Sequence, residues 1–99
     1  MSMQLSEKLK LIRESERLSQ REMSDLTGVP YGTFIYYEQG RSKPGTDAII
    51  KIFKPQRFRK YRDWFLFDET NPEAGQIAPV LSLSGQEQII SAQSVKKSG

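Results

Sequence analysis

The 99-residue sequence contains neither cysteine nor histidine. Without cysteine it can form no disulfide and no thiolate metal site, and without histidine it lacks the commonest general base and metal ligand. We therefore expect no cofactor, no metal, no catalytic residue and no enzymatic activity. The sequence also has no apolar run long enough to span a bilayer and no signal-peptide core at its N-terminus, which predicts a cytoplasmic protein with no membrane partner.

Positive charge is concentrated in one part of the chain. Residues 1–62 carry thirteen Lys/Arg and seven Asp/Glu, whereas residues 63–99 carry two and five. A basic surface is often only a solvated one, but it also suits a polyanion such as a nucleic acid. The length allows one domain with a modest core.

Residues 18–44 predict two short helices joined by a tight turn. Ser19 and Glu22 have the spacing of a capping box, which starts a helix. Gly28 suits the left-handed backbone that ends one, and Pro30 suits the start of the next because it lacks an N–H. A helix, a glycine-containing turn and a second helix form the helix-turn-helix arrangement, whose second helix enters the DNA major groove.

Helical patterns also flank this unit. Residues 6–17 predict a first helix, residues 46–53 a fourth, and residues 56–67 an aromatic-rich fifth. In the fifth, cations alternate with aromatic side chains, which could stack on unpaired bases or form core and subunit interface. We favour core and interface because so small a domain needs that apolar area to fold.

The remaining chain predicts little regular structure. Residues 76–83 are β-prone but contain Pro79, so we expect an extended arm that docks on its own subunit or on a partner. Residues 84–99 are rich in Ser, Gln and Lys, which predicts a flexible tail.

Several short motifs carry a family resemblance: Ser19-Gln20, Gly28 to Tyr31, Tyr37 to Arg41, and Pro44. At these spacings they resemble the lambda-repressor-like, Cro-type (XRE) helix-turn-helix family. The resemblance implies an all-α, five-helix DNA-binding domain over residues 1–67. An extended arm, residues 68–83, would follow in a dimer interface, with a short C-terminal tail.

Within that family the chain is most similar to the short C-type immunity repressors of P2-like temperate phages. The resemblance implies a homodimer that binds double-stranded operator DNA, blocks an early lytic promoter and so maintains lysogeny. The sequence does not say whether an antirepressor or inducer exists. The alternative is an antitoxin-type autoregulator that binds a partner protein. An interaction module that has lost DNA binding is disfavoured by the basic residues.

The resemblance assigns DNA contacts by position. The family's base-reading positions match Tyr31, Gly32 and Tyr36, and Ile35 projects from the same outward face of the second helix, so base contacts are expected for all four. Two phenol rings and a glycine predict a readout by van der Waals contact and single hydrogen bonds, with a contribution from DNA shape. Packing between helices is the alternative role for the two tyrosines. Phosphate contacts are implied for Ser19, Gln20, Thr33, Gln39, Arg41 and Lys43.

Two further sets of residues are expected to hold the protein together. The family often joins an arginine of the first helix to the glutamate that ends the recognition helix, which here implies a structural salt bridge between Arg13 and Glu38. Two exposed charges of little consequence are the alternative. The dimer interface is predicted from apolar side chains beyond the needs of one small core: Trp64, Phe65, Phe67 and Ile77.

Overall fold

The computed structural model describes residues 3–82 of the chain. Its helices, in chain order, are α1 (Leu5–Ser15), α2 (Gln20–Thr27), α3 (Tyr31–Glu38), α4 (Thr46–Phe53), α5 (Gln56–Arg59) and α6 (Arg62–Phe67). A 3-10 helix, Pro72–Ala74, follows, and the pairing between strands in this range is limited to one isolated bridge, Asn71 with Gln76. The described chain is therefore all-α, as predicted. The tail expected over residues 84–99 lies outside the described residues.

The helices surround one apolar core. Helix α1 packs against α3 and α6, α2 packs against α3 and α4, and α4 packs against α5. The buried core side chains of α1 and of residues 56–67 recur at spacings of three or four residues, as a helical pattern requires. The whole core consists of Leu9, Ile12, Met23, Val29, Phe34, Ile52, Phe53, Phe58, Tyr61 and Phe65.

Helix α1 ends earlier than the sequence predicts. It stops at Ser15 because Arg17 adopts a left-handed backbone with φ of 59°. The N–H of Arg17 donates to the carbonyl of Glu14, and the N–H of Leu18 donates to that of Arg13. This is a Schellman ending, with an arginine where glycine is usual.

The predicted fifth helix is two helices, and a side chain of the arm joins them. At the break, the amide nitrogen of Gln76 donates to the carbonyl of Arg59 (2.9 Å), and its amide oxygen accepts from the N–H of Asp63 (2.9 Å). The N–H of Ile77 donates to the carbonyl of Lys60. These partners satisfy backbone groups that a continuous helix would have paired internally. The expectation of five helices therefore gives way to six α-helices within residues 3–82.

Buried Lys8 anchors the end of α6. Its Nζ donates to the carbonyls of Trp64 (3.0 Å) and Phe65 (3.1 Å) and pairs with the carboxylate of Asp68. A cation at this position is favoured by the negative end of the helix dipole. Lys8 thereby fixes α1 against α6.

Glu16, which follows α1, holds the break between α5 and α6. Its carboxylate accepts from the hydroxyl of Tyr61 (2.6 Å) and pairs with Lys60 (3.1 Å) and Arg57 (3.0 Å). Burial opposes its ionisation, but these donors outweigh burial and lower the pKa of Glu16 below the ordinary value of 4.5. Burial and the bond to Glu16 raise the pKa of Tyr61.

The lowered pKa predicts an acid-sensitive contribution to stability. A group with a depressed folded pKa stabilises the fold above its unfolded pKa, and this stability is lost as pH falls through the folded pKa. We expect Glu16→Gln to cost about 2 kcal/mol at pH 7, and this difference to shrink progressively below pH 4.5. Denaturant titrations of both proteins from pH 7 to pH 3 measure it. Glu73→Gln, at an exposed site, is the control, and a pH-independent difference would contradict the assignment.

Candidate nucleic-acid interface

The turn between α2 and α3 is closed by short polar side chains. Gly28 has a left-handed backbone (φ 80°) and ends α2, as predicted. Val29 is buried beside it, and its carbonyl accepts from the hydroxyl of Ser24 (2.6 Å) while its N–H donates to the hydroxyl of Thr27 (3.2 Å). These bonds pair the backbone groups of the turn and fix how α3 leaves α2.

Helix α3 has one face in the core and one exposed. Phe34 is fully buried, and Tyr37 packs against the core from a half-buried position. Tyr31 and Tyr36, on the opposite side, are 37% and 51% exposed. Apart from its chain neighbours and the backbone of α3 itself, no atom of residues 3–82 lies within 4 Å of a Cβ added at Gly32. Three of the four predicted base-contact positions thus lie together on an open face, whereas the fourth, Ile35, is half-buried.

Glu38, the last residue of α3, binds both other helices of this region. Its carboxylate accepts from Nε (2.7 Å) and Nη2 (3.1 Å) of Arg13 on α1 and from the side-chain amide of Gln20 on α2 (3.0 Å). The hydrogen bond to Glu38 raises the pKa of Arg13. The Glu38 side chain is only 4% exposed, so the pair lies in a partly dry setting where geometry is held tightly.

The predicted phosphate contacts differ in how free their side chains are. One of the two amide hydrogens of Gln20 is engaged by Glu38. The hydroxyl of Ser19 accepts from the N–H of Glu22, whose carboxylate accepts from the N–H of Ser19, and these bonds lower the pKa of Glu22. The remaining four positions keep accessible side chains: Gln39, Arg41 and Lys43 are exposed, and Thr33 is half-buried.

Two arginine–tyrosine stacks flank the open face of α3, and the sequence patterns did not indicate either. The guanidinium carbon of Arg21 lies 4.2 Å from the ring centroid of Tyr31, and that of Arg41 lies 5.0 Å from the ring of Tyr36. Gly40, two residues after the end of α3, has a left-handed backbone (φ 75°), and the N–H of Arg41 donates to the carbonyl of Tyr36. This Schellman ending brings the side chains of Arg41 and Tyr36 together. The place of Arg41 beside the end of α3 can be inferred from Gly40 in the sequence. The contact between Arg21 and Tyr31 joins two helices and could not be inferred in this way.

The residues predicted at a subunit interface fall into three groups. Phe67 and Ile77 are 61% and 39% exposed. Trp64 is half-buried against the core, with the Lys8 ammonium over its ring. The prediction is wrong for Phe65, because its side chain is 0% exposed and packs against Phe53 with ring centroids 5.2 Å apart. A fully enclosed ring contributes to the core and not to a contact with a second subunit.

Within residues 3–82, no group of three or more His, Cys, Asp or Glu side chains is arranged to hold a metal ion. In the same range no helix is both long enough and apolar enough to cross a membrane. The chemistry available on the open face is that of phenol rings, guanidinium groups and backbone N–H groups.

Comparison with known proteins gives one full-length match. No protein-family model matches the chain. The chain is 50% identical over 99 residues to a protein of Escherichia phage P2 named "Repressor protein C", and the match covers the whole of both sequences. Identity at this level over the whole length is far above what a shared fold alone would require.

Proposed function

Because this chain belongs to the family of C-type immunity repressors of P2-like phages, we propose that it is a sequence-specific DNA-binding transcriptional repressor. It maintains lysogeny by covering an early lytic promoter, and it acts on operator DNA in the cytoplasm of the bacterial host. The observation that carries the proposal is the open face of α3, where two exposed tyrosines flank a glycine while Glu38 braces the helix against α1 and α2. The full-length match to a phage repressor does not support the antitoxin alternative.

We assign α2 and α3 the roles of a helix-turn-helix. Helix α3 enters the major groove with Tyr31, Gly32 and Tyr36 towards the base edges, and Ile35 at the margin of the contact. A phenol ring can pack against a thymine methyl while its hydroxyl makes one hydrogen bond. Because Gly32 has open space around it, the DNA can approach the helix backbone closely there.

Phosphates on either side of the groove would be held by the flanking residues. The backbone N–H groups at the start of α2 favour an anion, and Ser19 and Gln20 lie at that point. Arg41 and Lys43 supply charge after α3, with Thr33 and Gln39 as neutral donors. The second amide hydrogen of Gln20 stays available, since only one is needed for Glu38.

A dimer would place two such helices on successive half-sites. We propose that residues 1–67 bind DNA and that Trp64, Phe67, Ile77 and the arm, residues 68–83, form the subunit interface. Ile77 and Val80 line an apolar groove with Tyr61 and Pro72. Exposed apolar side chains grouped in this way are typical of association surfaces.

Selection of DNA from a random pool by the purified protein tests the proposed function. We expect one enriched motif, present twice at a fixed spacing of about one helical turn. The spacing and relative orientation of the two copies give the half-site arrangement. Recovery of sequences without any common motif at low salt would contradict the proposal.

Arg41→Ala tests the phosphate contact. We expect binding to operator and to unrelated DNA to weaken alike. The slope of the logarithm of the binding constant against the logarithm of the salt concentration should become shallower by about one unit per subunit. Affinities measured between 50 and 200 mM salt give this slope. Arg41→Lys keeps the charge and should keep most of the slope. An unchanged slope for Arg41→Ala would exclude a phosphate contact.

Phe67→Asp tests the interface. A charge at this exposed apolar position should separate the subunits, so that the mass in solution falls from twice 11.4 kDa to 11.4 kDa while the helical content stays unchanged. Sedimentation equilibrium measures the mass. Ile50→Asp, at a similarly exposed position on α4 (58%), is the matched control and should leave the dimer intact. A dimer that tolerates Phe67→Asp would place the interface elsewhere.

A further inference from the structure

The closest contact between a cation and an aromatic ring among residues 3–82 joins α2 to α3. The guanidinium carbon of Arg21, the second residue of α2, lies 4.2 Å from the ring centroid of Tyr31, the first residue of α3. The other such pairs lie between 5.0 and 5.6 Å. At 4.2 Å the cation lies well within the range in which the face of a ring attracts it.

The stacked guanidinium keeps its hydrogen-bond donors free. In the described part of the chain, the Arg21 side chain has no hydrogen bond and no ion pair with another residue. In contrast, Arg13 donates to Glu38 and to the carbonyl of Leu18, and Arg59 donates to the carbonyls at the end of α4. Arg21 is also exposed. Its five N–H groups therefore lie at the edge of a plane that Tyr31 orients, and none of them has an acceptor among residues 3–82.

The position of the stack decides which ligand suits it. Tyr31 begins α3, and the N-terminal residues of a recognition helix are those that approach the base edges in the major groove. A planar fork of N–H donors at that depth matches the O6 and N7 acceptors of guanine, the commonest specific contact that arginine makes. The ring also limits the conformations of a long side chain, so less freedom is lost when the contact forms.

We propose that Arg21 is a specificity-determining residue that reads one guanine in each half-site, with Tyr31 as the platform that positions its guanidinium. The inference rests on the proposed DNA-binding function and adds to it a base contact from α2. It also predicts which base is read, namely guanine, whereas the tyrosines and the glycine of α3 predict no particular base.

The test compares the motifs selected from a random DNA pool by the full-length wild type, Arg21→Ala and Arg21→Lys. We expect one guanine per half-site to lose its preference in Arg21→Ala while the other positions keep theirs. Affinity for the wild-type operator should fall about 10- to 100-fold, and affinity for unrelated DNA much less. Arg21→Lys keeps the charge but not the fork, so the guanine preference should weaken without restoration of wild-type affinity. Arg62→Ala, an exposed arginine on α6 paired with Asp63, is the control and should leave the motif unchanged.

The role of the ring is tested separately. Tyr31→Phe keeps the stacking face and should keep the guanine preference, whereas Tyr31→Leu removes the face and should reduce it. An unaltered preference in Tyr31→Leu would overturn the role of the platform.

Two outcomes overturn the assignment, and they can be told apart. In the first, the wild type and Arg21→Ala select the same motif, and Arg21→Ala loses the same affinity for all DNA with a shallower salt dependence. Arg21 then contacts a phosphate, so the inference fails while the proposed function stands. If the wild type selects no motif, the proposed function itself fails and the inference fails with it.

Discussion

Replacing Glu38 by alanine is expected to destabilise the protein by about 3 kcal/mol. The carboxylate is 4% exposed and accepts two hydrogen bonds from Arg13 and one from Gln20. Its removal leaves a guanidinium that is 13% exposed and whose remaining partners among residues 3–82 are the carbonyl of Leu18 and a distant Glu14. For a domain of this size the midpoint of thermal unfolding should fall by roughly 15 °C.

Glu14→Ala is the matched control for this prediction. Glu14 lies 4.0 Å from the same guanidinium but is 42% exposed, so its removal should cost less than about 1 kcal/mol. Denaturant unfolding of both variants and of Arg13→Ala, with the corresponding double mutant, measures the coupling between Arg13 and Glu38. A loss for Glu38→Ala as small as that for Glu14→Ala would show that the pair does not hold α3 in place.

Short-range signals explain why the region around α2 and α3 was predictable. The capping box of Ser19 and Glu22 and the left-handed Gly28 are formed by residues three or fewer positions apart or by one residue alone. Such features depend on local backbone chemistry, which a sequence states directly. The bounds of α4, residues 46–53, followed from its apolar spacing for the same reason, although Gly45 precedes the helix without a side-chain cap.

Long-range contacts explain what the sequence did not reveal. The break between α5 and α6 depends on Gln76, which lies 17 residues from Arg59 along the chain. Lys8 bonds to carbonyls 56 and 57 residues away, so its helical position alone suggested an exposed side chain. Neither partner can be inferred from periodicity, because the pairing exists only after α1, α6 and the arm have packed together.

The site shows the same division between local and tertiary information. The exposed face of α3 follows from the three-residue spacing of Phe34 and Tyr37, which sets the opposite side outward. The pairing of Arg13 with Glu38 came from the family resemblance, since residues 25 positions apart give no local signal. Phe65 was misjudged because apolar content does not show which ring of an aromatic segment the core encloses.

Tyr36→Ala is expected to reduce operator affinity roughly 100-fold, the product of about tenfold at each half-site of a dimer. The ring is 51% exposed on α3, and the guanidinium of Arg41 lies 5.0 Å from its centroid. The substitution therefore removes a groove contact and also the surface that orients Arg41. Titration of the selected operator with wild type and variant measures the loss.

Stability separates this role from packing. Removal of an exposed ring has little effect on stability, so the free energy of unfolding of Tyr36→Ala should lie within about 0.5 kcal/mol of the wild-type value. Tyr37→Ala is the matched contrast, because the adjacent ring packs against the core and its loss should cost about 2–3 kcal/mol. Tyr36→Phe distinguishes the ring from its hydroxyl, and retention of most of the affinity would assign the contact to the ring. If Tyr36→Ala lost stability as Tyr37→Ala does while binding operator normally, the outer face of α3 would not be the surface that reads DNA.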